Sequence, residues 1–178
     1  MPDGSSHSSL RKRLLLGDRK EVAEAAAIAR EVFDNPRLIR PLVDLLDDAD
    51  TGVVSHAAHV AMQVGRDAPE LFAPYADRLL SMLRTCRQWE IGEQLPKVLV
   101  VVPLNDDQTQ QLADILTTQV DAKSNIAAAS ALSGLAELAR TGRIPGQLGR
   151  EAISAALSSP RKALAARARR IAQETGWQ

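Results

Sequence analysis

The chain has 178 residues, 45% of them hydrophobic and only 3% aromatic, which suits one domain with an interior of Ala, Leu, Val and Ile. Its single cysteine, Cys86, excludes an internal disulfide. The longest apolar run, residues 98–103, falls far short of the roughly 20 residues needed to cross a bilayer. A formal net charge of zero argues against a partner held mainly through phosphates.

Residues 1–9 carry no periodicity and read as a disordered tail ahead of a single domain spanning 10–178. Residues 9–16 suggest a short helix closed by Gly17. Its Arg11-Lys12-Arg13 run is followed by only three leucines, too short for a signal-peptide core, so a cytoplasmic protein is expected. Asp18 is a fair N-cap for a helix to Phe33, and Asn35-Pro36 ends that helix and starts the next.

The chain then repeats itself. Helices are predicted over 36–46 and 51–64, with Gly65 closing the pair, then over 69–83 and 88–102, 106–120 and 124–140, and 144–157 and 160–175. Aligning the apolar stripes of the second helices makes Met62, Leu95, Leu135 and Ala172 equivalent, a spacing of about 36 to 37 residues. Two helices per unit and nothing strand-like indicate an all-α, right-handed α-solenoid of about four helix pairs plus N-terminal helices. A lone pair cannot bury both apolar faces, so adjacent pairs must stack.

The sequence around Pro96 is the most unusual. Ile91, Leu95, Val98 and Val102 make one stripe, with Trp89 and Gly92 expected on the less buried side. Pro96 within the run removes a backbone hydrogen bond and presses on the carbonyl of Gly92, which predicts a kinked helix.

Four segments carry a resemblance: Asp50-Thr51-Gly52-Val53-Val54, Trp89 with Leu95-Pro96, residues 121–126 with Ala131-Leu132, and residues 163–169. In these the sequence resembles the HEAT-repeat superfamily, and more narrowly small bacterial HEAT-repeat proteins of unassigned function. The family pattern favours a basic residue near the start of the second helix, where Ser55 and Ala128 stand, and a histidine after the tryptophan, where Glu90 stands. The resemblance implies a scaffold that holds another protein.

On the helical wheel the off-core residues of successive second helices are His56, His59 and Gln63, then Trp89 and Glu93, then Ser133 and Arg140, then Arg169 and Arg170. These are the expected partner-binding residues, since Trp and Arg most often anchor interfaces. Charge is uneven along the chain: residues 1–20 carry about three net positive charges, residues 140–178 about six, and the middle about nine negative. An acidic segment of another protein therefore suits the arginine-rich end.

Enzymatic readings find little. No Gly-x-Ser-x-Gly elbow and no phosphate-binding glycine loop occurs. His56 and His59 share a helical face, but a zinc site needs about three or four protein ligands, and only His7 remains. The acidic run Asp47, Asp48 and Asp50 reads as a turn and N-cap rather than a calcium loop. No catalytic residue, metal or cofactor is expected. The alternative is a nucleic-acid-binding protein related to the HEAT-like alkylpurine DNA glycosylases, disfavoured by the acidic centre and the single aromatic on that surface.

Overall fold

The computed structural model describes residues 3–15 and 24–177. Among the described residues there are ten α-helices, two 3-10 segments and no strand. The helices are α1 (Asp3–Leu15), α2 (Ala25–Asp34), α3 (Ile39–Leu45), α4 (Thr51–Asp67), α5 (Ala76–Thr85), α6 (Trp89–Leu99), α7 (Asp106–Gln119), α8 (Asn125–Arg140), α9 (Gly146–Leu157) and α10 (Lys162–Thr175). The 3-10 segments, Pro36–Leu38 and Pro69–Tyr75, each begin at a proline and lead into α3 and α5. No described helix is long and apolar enough to cross a membrane.

Local chemistry explains the boundaries. Asp50 stands in extended conformation and its carboxylate accepts from the backbone N–H groups of Gly52 and Val53, which starts α4. Asn105 and Gln108 form a reciprocal capping box at α7. Gly176, at φ 70°, turns the chain after α10 and lets the Trp177 N–H donate to the Ala172 carbonyl. Trp177 then folds back over α9, with the Arg150 guanidinium 5.9 Å from its ring centroid.

Four sequence expectations are corrected. The first helix begins at Asp3, so residues 3–9 are helical rather than a disordered tail. Gly65 does not end its helix. It lies buried inside α4, where a Cβ would sit 3.1 Å from Val98 of α6, so it is a site of close helix approach. Gly92 is likewise buried, not on the open side: a Cβ there would meet the Ala127 Cβ at 2.9 Å. The helix predicted to reach Val102 stops at Leu99, although it passes through the buried Pro96 as one assigned helix. The proposed Asp18 cap lies outside the described residues.

The even-numbered helices lie in a row: α2 on α4, α4 on α6, α6 on α8 and α8 on α10. On the other side α5 packs beside α7, α1 lies against α3 and α4, and α9 fits between α8 and α10. The main apolar cluster runs from Leu10 to Ile144, and a second one joins α8, α9 and α10 through Ala128, Leu132, Ile153, Leu164 and Ala168. Trp177 touches both. Each fully buried leucine contributes roughly 2 kcal/mol, so the interfaces between helices, rather than any loop, hold the row together.

Candidate docking face

Helices α6 and α8 run in the same direction. Gly92 faces Ala127, the Ser130 hydroxyl donates to the Glu93 carbonyl at 2.6 Å, and Gly134 lies against Val100. This register defines the open face of the row. Across α6, α8 and α10 it forms a groove of about 670 Å³. Lys97, Ser133, Glu137, Arg140, Arg167 and Arg170 line it, among others.

Most of these charges are already paired. Arg140 donates to both carboxylate oxygens of Glu137 at 2.8 and 2.6 Å, a contact that raises its pKa further. Arg170 pairs with Glu174 at 2.8 Å, and Lys97 lies 3.1 Å from both Glu93 and Gln94. The three ion pairs are each local to their own helix, and those of Arg140 and Arg170 are exposed enough to exchange cheaply with a partner's charges. Ser133 donates its hydroxyl proton to the Ala129 carbonyl at 2.7 Å and accepts from Arg167 Nε at 2.8 Å.

Trp89, the first residue of α6, is 46% exposed. It stands one turn before Glu93, just as Ile126, 49% exposed, stands one turn before Ser130. The register therefore sets these two apolar side chains at the same level of neighbouring helices, at the end of the face away from Arg140. His59 of α4 is half-buried on this side. Burial lowers its pKa, Lys97 and His56 lower it too, and Glu93 opposes them.

Other predicted residues fall elsewhere. His56 is 7% exposed and its Nδ1 lies 2.7 Å from the Leu14 carbonyl, so it is part of the α1–α4 packing and not of the open face. Gln63 lines a separate depression of about 440 Å³ between α2 and α4, together with the exposed Phe33. Arg169 does not line the groove. Two residues along an α-helix turn the side chain by about 200°, so Arg169 points away when Arg167 points in. The wheel misplaced His56 because it treats a helix as having one buried side, whereas α4 is covered by neighbours on several sides.

Arg167, Glu137 and Ile126 were not among the expected partner-binding residues. Arg167 and Ile126 sit in the segments carrying the repeat pattern, but only the register between helices shows that they share a face. Glu90 and Gln94 are buried on α6, which the single-stripe reading also missed. Arg143 is another concealed polar anchor: it donates to the Val100 carbonyl at 2.8 Å and Thr109 Oγ1 at 3.2 Å, and burial lowers its pKa.

Among the described residues no three His, Cys, Asp or Glu side chains converge in a way that could hold a metal ion. Cys86 is half-buried, with Gln119 Nε2 at 3.6 Å, and burial pushes its thiol pKa up, away from the reactive thiolate.

No protein-family model matches the chain, and no curated protein matches it in sequence. A crystal structure of an engineered protein from the Northeast Structural Genomics Consortium is similar in fold. Its TM-score is 0.63 at 19% identity, over 93% of this chain and 77% of that one. At that identity the likeness concerns the fold alone.

Proposed function

We propose that the protein is a non-catalytic scaffold or adaptor of the cytoplasm, a right-handed HEAT-like α-solenoid that docks another protein on the open face of its even-numbered helices. The observation that supports this best is the groove across α6, α8 and α10, lined by small and charged residues, with Trp89 and Ile126 exposed in the first turns of α6 and α8. Three successive helices each contribute to one surface, which is how a stack of helix pairs presents an extended binding wall. Apolar anchors at one end and guanidinium groups along the rest match the residue types that dominate protein interfaces.

Within this reading Trp89 supplies the apolar anchor, His59 and Glu93 give polar register, and Ser133, Arg140 and Arg170 border the groove. His56, Gln63 and Arg169 drop out of the proposed contact set on geometric grounds. The test is affinity capture with the wild-type protein and Trp89→Ala, partners being identified by mass and binding then measured with the purified partner. The variant should weaken binding by about 2 kcal/mol or more while its thermal unfolding stays unchanged. Equal losses of binding and stability would make Trp89 a packing residue, and unaltered binding would remove it from the interface.

A further inference from the structure

The docking reading, on which this inference rests, leaves open what the groove recognises, and the charges in it are not equivalent. Arg140, Arg170 and Lys97 each have a carboxylate partner on their own helix. Arg167 does not. Its Nε donates across to Ser133 on α8, and none of the described carboxylates lies within ion-pair distance of it. Ser133 has committed its own proton to the Ala129 carbonyl, so its oxygen can only accept, and this holds the guanidinium by one edge. The edge formed by the two Nη groups stays available in the groove that Arg167 lines. A planar fork of two N–H donors fits a carboxylate in bidentate fashion.

We infer that the groove binds an acidic peptide segment, one carboxylate of which pairs with the Nη edge of Arg167 while an apolar side chain of the same segment rests on Trp89 and Ile126. Charge complementarity supports the occupant: Lys97, Arg140, Arg167 and Arg170 line the groove against only Glu137 and Glu174. Ile126 and Ser133 are seven residues apart on α8, about 10 Å along its axis. A helical segment lying along the groove therefore meets both sites with an apolar and an acidic residue about two turns apart. Nucleic acid fits less well, because a phosphate backbone needs a row of uncompensated cations and this groove offers one beside internally paired ones.

The experiment titrates two labelled helical peptides, one with leucine and glutamate two turns apart and one with glutamine replacing glutamate. They are titrated against wild type, Arg167→Gln, Arg167→Lys and Trp89→Ala, with thermal unfolding recorded for each protein. The glutamate peptide should bind wild type, lose about tenfold in affinity to Arg167→Gln, and recover part of that with Arg167→Lys. The glutamine peptide should bind more weakly and be indifferent to residue 167. Equal affinity of the two peptides for wild type, no effect of Arg167→Gln on the glutamate peptide, or no binding of that peptide overturns the inference. If Trp89→Ala weakens both peptides while residue 167 has no effect, the docking face stands and the carboxylate contact falls. A single-stranded oligonucleotide that binds steeply with falling salt and depends on Arg167, where the glutamate peptide does not bind, replaces the inference with a nucleic-acid one.

Discussion

At the scale of single residues, the two histidines of α4 show how little a helical wheel says about exposure. His56 and His59 are three apart and were expected on one open face, yet His56 is enclosed against the end of α1 while His59 stays half-buried beside α6. His59 has a pH signature. Burial lowers its folded pKa below the ordinary 6.5, so the unfolded chain binds the proton more readily. Its contribution to stability is complete above 6.5 and is lost as pH falls from there toward the folded value. We expect urea midpoints to drop on acidification through this window and His59→Gln to flatten the drop. An unchanged slope in the variant would assign the acid sensitivity to other groups.

At the scale of elements, small residues decide how near the helices come. Gly92 lets α6 touch α8, Gly65 lets α4 touch α6, and Gly134 admits Leu116 and Val100. The ordinary helix penalty of glycine is about 1 kcal/mol relative to alanine, so on propensity alone Gly92→Ala would stabilise α6. Packing reverses the sign, because the new Cβ would lie 2.9 Å from the Ala127 Cβ and neither atom belongs to a side chain that can swing away. We expect Gly92→Ala to destabilise the protein by about 1–3 kcal/mol in chemical denaturation, and pairing it with Ala127→Gly to recover part of the loss. A stabilised single variant would show that α6 and α8 separate without cost.

For the whole molecule, the two apolar clusters matter more than any one contact. Helix α8 belongs to both, but α9 and α10 depend mainly on the smaller one, tied down at the C-terminus by Trp177. Stacked helices unfold through nearest-neighbour interfaces, and end units are held from one side only. We expect native-state hydrogen exchange to show α10 and much of α9 opening at lower free energy than α4 and α6. Uniform protection of all these helices would mean that the clusters behave as one cooperative core. Because α10 carries Arg167 and Arg170, the same measurement reads whether one wall of the groove is intrinsically looser than the others.

Read alone, the chain determined the helices from Pro36 onward to within a few residues, because apolar spacing, prolines and Asp or Asn caps are local signals that neighbours only reinforce. It also put Trp89 off the stripe of Ile91, Leu95 and Val98, while the tertiary structure decided that this residue is exposed rather than packed. Only the tertiary structure decided that Gly65 and Gly92 are contact points, that His56 is enclosed, and that Arg167 rather than Arg169 enters the groove. The physical reason is that a helix in a row has three covered sides and one open one. A sequence period reveals that a side is apolar, but which polar flank meets a neighbour and which meets water is set by the register between helices that are some 33 to 37 residues apart in sequence, a distance over which no local pattern carries information.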